Sequence, residues 1–84
     1  MNENELKQIA VSVWEKRDHH IGAKWGNKDD QFVEFSDAAV PTVRLQKLGG
    51  SWTVLLRGMI IYTGGFAMAL EVTKNLVDAL WTED

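Results

Sequence analysis

Two adjacent histidines, His19 and His20, have the clearest potential for metal chemistry in this chain. Asp18 precedes them, and Asp29 and Asp30 follow further along. Imidazole and carboxylate groups are common metal ligands, but neighbouring residues at a helix end do not share a face, unlike two histidines one helical turn apart. We therefore predict no metal site and no cofactor. The histidines are interpreted as a solvated helix end, where they suit the helix dipole.

Catalytic chemistry is also poorly supported by the residue spacing. Ser12, Ser36 and Ser51 are candidate nucleophiles, but no spacing pairs any of them with a base. The glycine pair at 64–65 precedes a predicted helix, whose first turn attracts anions, yet no Lys-Ser/Thr follows as in a phosphate-binding loop. Turn formation is sufficient to explain these glycines. We predict that the chain is not an enzyme.

The length of 84 residues predicts one domain, covering residues 1–84. The hydrophobic fraction of 45% and the charged fraction of 25% are ordinary for a soluble globular domain, so extensive disorder is not expected. The net charge of −3 argues weakly against nucleic-acid binding, where a basic face supplies most of the affinity.

Several features together favour a cytoplasmic location. The chain has no cysteine, which excludes disulfides and thiolate metal sites and is typical of a reducing compartment. Its first residues, MNENELKQ, lack the positive flank and apolar run of a signal peptide. No apolar segment approaches the roughly 20 residues that a membrane span requires, so no membrane association is expected.

The elements that would position any site can be predicted in order. A helix is expected at Glu3–Asp18, capped by Asn2 or Asn4, followed by a loop at His19–Asp30 and a first strand at Gln31–Phe35. A break ending at Pro41 leads into the meander Thr42–Tyr62, and a second helix is expected at Phe66–Trp81. In each helix the apolar residues recur every three or four positions. In the first these are Leu6, Ile9, Ala10 and Val13. In the second, one face holds Phe66, Ala69, Leu70, Thr73, Leu76, Val77, Leu80 and Trp81.

The order α-β-β-β-β-α, with two amphipathic helices, predicts the α+β class. We expect a two-layer sandwich in which both helices cover one face of an antiparallel sheet of three or four strands.

The meander can be read at the level of residue pairs. A two-residue turn at Gly49-Gly50 predicts the pairs Lys47–Trp52, Leu45–Val54 and Val43–Leu56. A second turn at Arg57-Gly58 would set Leu56 opposite Met59 and Val54 opposite Ile61. This turn needs a positive φ at Arg57, so a longer loop or a bulge with Gly58 in the left-handed region is an alternative. A slip of one residue would exchange Met59 and Ile61 with Ile60 and Tyr62 between the two faces.

The predicted face away from the helices is where binding is expected. Leu55, Ile60 and Tyr62 would lie there uncovered, and such a patch usually marks a protein contact, most simply a homodimer. Trp25, in the predicted loop, would either close over the core edge or anchor a partner. Arg44, Arg57 and Tyr62 form the alternative, a small nucleic-acid-binding module using the same face. The predicted partner-binding residues are Trp25, Arg44, Leu55, Arg57, Ile60 and Tyr62.

A cluster of acidic residues, Asp78, Glu83 and Asp84, lies at the end of the second predicted helix. It either serves solubility or forms an acidic patch for a basic partner. Taken together, the residues predict a non-enzymatic protein–protein interaction module that binds a partner protein or itself. Small chains of this kind, without cysteine or catalytic motifs, are often accessory or inhibitory proteins of phages and mobile elements, and we expect this class.

Overall fold

The fold is that of a computed structural model, which describes residues 1–15, 21–38 and 40–81. Helix α1 comprises Glu3–Trp14 and helix α2 comprises Phe66–Leu80. Between them, five strands form one antiparallel sheet in sequential order. They are β1 (Gly22–Asn27), β2 (Asp30–Asp37), β3 (Val40–Leu48), β4 (Ser51–Leu56) and β5 (Met59–Gly64). The α+β class is therefore confirmed, whereas the sheet has five strands and not the predicted three or four.

The extra strand is β1, which lies within the segment predicted as a loop. Ala23 and Trp25 alternate with Lys24 and pair with Phe35 and Val33 of β2. A turn at Lys28–Asp29 joins the two strands, and the Asn27 side-chain oxygen accepts hydrogen bonds from the backbone N–H groups of residues 29 and 30. This is the local side-chain bond by which asparagine initiates turns. The prediction of a loop was wrong because two glycines and an asparagine within six residues give β1 the composition of a loop.

Both helices pack on the same face of the sheet, here called the inner face. Leu6, Ala10 and Val13 of α1 are buried against β1 and β2, as their spacing predicts. Ala69, Thr73 and Val77 of α2 are buried against β3, β4 and β5. The two helices share one hydrophobic core with the sheet residues that point toward them. These sheet residues are Val33, Phe35, Val43, Leu45, Trp52 and Val54.

The ends of the helices differ in part from the prediction. Asn2 caps α1 and forms a capping box with Glu5, while α1 ends at Trp14, before the predicted end at Asp18. Residues 16–20, which include His19 and His20 of the predicted helix end, lie outside the described residues. Helix α2 begins and ends within one residue of its predicted bounds.

The first residue of α2 also contacts the sheet. The Phe66 ring meets the Trp52 ring edge-on, with 5.0 Å between the ring centroids.

The two turns of the meander determine which residues share a face. All three pairs predicted around Gly49-Gly50 are present. Arg57 and Gly58 both have positive φ, 54° and 79°, so the two-residue turn that the sequence made uncertain is present. Leu56 pairs with Met59, as predicted. Beyond this first pair the predicted register is wrong.

The error in the register comes from a β-bulge in β5. Ile60 pairs with Leu55, but Tyr62 pairs with Val54, so Ile61 has no Cα partner in β4. One extra residue in a strand returns the following residues to the opposite face. Tyr62 therefore lies on the inner face with Val54, and the expectation that it lies on the face away from the helices is corrected.

Candidate protein-binding surface

The face of the sheet opposite the helices, here called the outer face, brings together three of the predicted residues. Arg44 of β3 pairs with Leu55 of β4, and Leu55 pairs with Ile60 of β5. Because directly paired residues project to the same side of a sheet, the three side chains form a row across neighbouring strands. The prediction that they share one face is confirmed.

Arg44 is held by three neighbours on the outer face. Its Nη1 donates to Glu34 Oε2 at 2.8 Å, and its Nε donates to Gln46 Oε1 at 3.0 Å. Its guanidinium also lies over the Phe32 ring, 3.9 Å from the ring centroid. An ion pair, a second hydrogen bond and a cation–π contact fix this side chain within the sheet. Arg44 thus stabilises the outer face, and its donors to Glu34 and Gln46 are already used.

Phe32 is a residue of this face that the sequence analysis left unassigned. Its ring lies over Gly26 of β1, where an added Cβ atom would come within 2.8 Å of Phe32 Cδ1. On its other side the ring faces Arg44. The alternation in QFVEF, with Val33 and Phe35 buried, was sufficient to place Phe32 and Glu34 on the outer face.

The centre of the outer face is closed and polar. Thr53 is only 2% exposed, and its hydroxyl lies 3.4 Å from the hydroxyl of Thr63 on β5. Gln46 pairs with Thr53 in the register and also contacts Arg44. Because these polar side chains bond to neighbours within the sheet, the centre of the face offers little apolar surface to a partner.

The large exposed apolar side chains are concentrated at the β4–β5 hairpin. Met59, Ile60 and Ile61 are 69%, 62% and 43% exposed, and we refer to these three residues as the β5 edge patch. Strand β5 is an edge strand, with β4 as its neighbour in the described sheet. Ile60 was predicted to lie on this surface, whereas Met59 and Ile61 were predicted to lie in the core. Ile61 is displaced by the bulge in β5, and Met59, although it pairs with Leu56 as predicted, is exposed.

Tyr62 lies next to this patch but points away from the outer face. Its ring covers Gly64 on the inner face, where an added Cβ atom would contact the Tyr62 hydroxyl and come within 2.9 Å of Cζ. Tyr62 is half-buried and packs against the core. Arg57 is exposed in the turn that precedes Met59. The structure therefore places Arg57 beside the patch but does not bring Arg44, Arg57 and Tyr62 onto one face.

Trp25 is at the opposite edge of the sheet, on β1. It is half-buried against the core, and Lys7 Nζ lies 5.9 Å from its ring centroid. The Trp14 indole N–H donates to the Ile21 carbonyl at 2.6 Å nearby. A groove of about 320 Å³ between α1 and β1 is lined by Lys7, Val11, Trp14, Ile21, Gly22, Ala23 and Trp25. Trp25 is thus at the opposite edge of the sheet from Arg57 and Ile60, and Arg44 lies between them on the central strand β3.

The remaining predicted sites are only partly within the described residues. Asp78 is exposed near the C-terminal end of α2, whereas Glu83 and Asp84 lie outside the described ranges. His19 and His20 lie outside them as well. Among the residues that the structure does describe, no three histidine or carboxylate side chains come together as potential metal ligands.

Comparison with known proteins gave no matching family model, no matching curated protein and no matching solved structure. Within the described ranges, neither helix combines the length and the apolar character needed to cross a lipid bilayer. Any function is therefore inferred from the chain's own residues.

Proposed function

We propose that this protein is a non-enzymatic protein–protein interaction module that binds its partner at the β5 edge patch. One observation carries the proposal: three consecutive large apolar residues, Met59–Ile61, are exposed on an edge strand of the sheet. Single exposed apolar side chains are normal on soluble proteins, but contiguous ones usually mark a contact surface. Leu55, the half-buried neighbour of Ile60 on the outer face, extends this surface.

The size of the patch supports a modest affinity. Complete burial of a large apolar side chain contributes about 1.5–3 kcal/mol, so three residues that are about half exposed would contribute roughly 3–5 kcal/mol. Association itself costs at least about 4 kcal/mol in lost translational and rotational freedom. The partner must therefore add apolar groups of its own or hydrogen bonds to the free edge of β5.

The hydrogen bonds and the ion pair formed by several described hydroxyl and charged groups support a non-enzymatic function. The Ser12 hydroxyl donates to the Ile9 carbonyl, and the Thr73 hydroxyl donates to the Ala69 carbonyl within α2. Arg44 and Glu34 bind each other. Each of these groups has a structural partner, and none is paired with a base as a nucleophile would be.

The nucleic-acid alternative is not proposed, since Tyr62 lies on the inner face and Arg44 is paired with Glu34. A role as an accessory or inhibitory protein of phage type stays a prediction from size and composition, as does the cytoplasmic location. The exposed Asp78 leaves a contact between the acidic patch and a basic partner as a prediction too.

Affinity capture with matched variants tests the proposal. The tagged wild type is compared with Ile60→Lys, and Leu48→Lys serves as the control because Leu48 is another exposed apolar residue, 47% exposed, at the β3–β4 hairpin. We expect at least one protein, which includes untagged copies of the chain itself, to be retained by the wild type and by Leu48→Lys but lost with Ile60→Lys. If all three proteins retain the same set, the β5 edge patch is not a binding surface.

A further inference from the structure

We infer that the partner of the β5 edge patch is a second copy of this chain, with the two β5 strands paired antiparallel across a two-fold axis. The inference rests on the proposed function and names its partner. Strand β5 has one neighbour in the described sheet, so the backbone groups along its other side are open to a further strand. Antiparallel addition would extend two five-stranded sheets into one continuous sheet.

The position of the exposed side chains favours addition at the edge over docking on a face. Met59 pairs with Leu56, on the side of the helices, whereas Ile60 pairs with Leu55 on the outer face. A partner docked flat against the outer face would cover Ile60 but leave Met59 in water. A strand added beside β5 contacts side chains on both faces of the sheet at once. Edge addition therefore buries the whole patch.

The two edges of the sheet differ in how well they resist such pairing. Strand β1 carries Lys24 and two glycines and has an irregular register between Trp25 and Asn27. A charged side chain is a common device that blocks edge-to-edge association. Strand β5, with the sequence MIIYTG, contains no charged residue and no proline. Both edge strands have an irregular register, β5 at Ile61, so the difference between the two edges is the charged side chain of β1.

Absence of charge makes β5 complementary to itself. In an antiparallel pair across a two-fold axis, each residue faces a residue of the same strand in the other copy, and a residue near the axis faces its own equivalent, so a charge near the axis would be repelled by its copy. With the axis near Ile60, the three patch residues of one copy face the same three residues of the other. The exposed Arg57 then lies beside the polar end of the partner strand, near Thr63. An uncharged strand also has no electrostatic preference for a charged partner.

The expected interface is small. Six residues at a rise of about 3.4 Å give an edge of about 20 Å, and one pair of strands this long covers much less than the roughly 1,200 Å² of a stable interface. We therefore expect a weak dimer, with a Kd between about 10⁻⁵ and 10⁻³ M.

Sedimentation equilibrium from about 10 µM to about 1 mM tests the association, because this range spans the expected Kd. We expect the average mass of the wild type and of Leu48→Lys to rise toward that of a dimer. For Ile60→Lys, we expect a monomer throughout. A wild type that stays monomeric at 1 mM, or a dimer that Ile60→Lys leaves unchanged, would overturn the inference.

Crosslinking locates the contact, and the absence of native cysteine makes it specific. Ile60→Cys, treated with a short bis-maleimide, is expected to give a covalent dimer. Lys24→Cys, on the opposite edge of the sheet, is expected to remain monomeric. Equal crosslinking of the two variants would contradict the assigned edge.

The failure of this inference can be distinguished from the failure of the proposed function. A wild type that is monomeric but still captures another protein in an Ile60-dependent manner would reject only the second copy as the partner. A wild type that neither dimerises nor captures a protein in this manner would reject the proposed function.

Discussion

The guanidinium carbon of Arg44 lies 3.9 Å from the centroid of the Phe32 ring. The same guanidinium donates a 2.8 Å hydrogen bond to Glu34, and Phe32 and Glu34 both belong to the neighbouring strand β2. A planar group suits this arrangement, since it can stack on a ring and donate in its own plane at the same time. The outer face is therefore stabilised by a cation that sequence analysis had assigned to partner binding.

Arg44→Lys tests this structural role. A lysine keeps the charge but loses the stacked plane and the Nε donor to Gln46, so we expect the free energy of unfolding to fall by about 1 kcal/mol. Both partners of the ion pair are partly exposed, 29% for Arg44 and 19% for Glu34, which limits the effect. Arg57→Lys, the same substitution at an exposed turn, is the control and should change stability by less than about 0.5 kcal/mol. Equal effects in urea unfolding would show that the stack contributes nothing.

Gly26 is expected to tolerate no side chain. A Cβ atom there would overlap the Asp30 carbonyl oxygen and approach the Phe32 ring to 2.8 Å. Because a backbone atom cannot move aside cheaply, Gly26→Ala should lower the free energy of unfolding by about 1–3 kcal/mol. Gly50→Ala has no atom within 4 Å of the added methyl group and no positive φ, so it should be neutral or slightly stabilising. Urea unfolding of the two variants checks the ranking, and a neutral Gly26→Ala would contradict the close approach of Phe32.

The turn at Gly49-Gly50 and the stripe of α2 were predictable from the sequence, whereas strand β1 and the face of Tyr62 were not. The pairs across Gly49-Gly50 were predicted correctly because a two-residue turn fixes the register of both strands. The buried stripe of α2 was predicted because a period of 3.6 is continuous over 15 residues. Strand β1 was missed, since the glycines at 22 and 26 gave its residues the composition of a loop. The position of Tyr62 was wrong because a bulge inserts a residue that period-two alternation cannot reveal.

Residues of the candidate surface could be predicted only where the register between neighbouring strands could be predicted. Leu55 and Ile60 follow from the Arg57-Gly58 turn, and both were placed on the outer face correctly. The ion pair of Arg44 depends on how β2 aligns with β3. The link between these strands includes an irregular pairing near residue 37, and no turn signal in the sequence fixes it. The partners of Arg44 were therefore outside the reach of pattern analysis.

The same substitution is expected to have different costs at two tryptophans, Trp14 and Trp81. The Trp14 indole N–H donates to the Ile21 carbonyl at 2.6 Å, whereas the buried Trp81 N–H has no acceptor among the described residues. Trp14→Phe should therefore cost about 1–2 kcal/mol, because it leaves a carbonyl without its donor. Trp81→Phe removes an unpaired donor, which offsets part of the cavity it creates, so we expect a cost below about 1 kcal/mol. An equal or larger loss at Trp81 in thermal unfolding would contradict this ranking.

The start of α1 depends on Asn2 and not on Asn4. The Asn2 side chain accepts from the Glu5 N–H at 2.9 Å, and Glu5 Oε1 accepts from the Asn2 N–H at 3.3 Å. Asn2→Ala should thus lower the free energy of unfolding by about 1 kcal/mol. Asn4 lies inside the helix, where alanine has the higher propensity, so Asn4→Ala should be neutral or stabilising by up to about 0.5 kcal/mol. The reverse ranking in urea unfolding followed by circular dichroism would place the cap at Asn4.

The turn between β4 and β5 holds a non-glycine residue in an unfavourable conformation. Arg57 has φ of 54° and Gly58 has φ of 79°, the combination of a type I′ turn, in which asparagine followed by glycine is preferred. Arg57→Asn should therefore raise the free energy of unfolding by about 0.5–1 kcal/mol, since asparagine enters the left-handed region more easily. The backbone N–H of residue 57, which donates to the Thr42 carbonyl at 3.0 Å, is kept. Gly58→Ala, as the opposite control, should lower it by about 1–2 kcal/mol.

The same variant also separates a structural role of Arg57 from a binding role. The positive φ of Arg57 lowers the stability of the fold, so we expect its exposed side chain to have another role. Arg57 lies in the turn that precedes the β5 edge patch, close to Met59. If Arg57 contacts the partner, Arg57→Asn will unfold at higher urea concentration and yet dimerise or capture its partner more weakly than the wild type. If binding is unchanged while stability rises, Arg57 belongs to the turn alone and the interface is limited to the apolar patch. Urea unfolding and sedimentation equilibrium on one protein preparation distinguish the two outcomes.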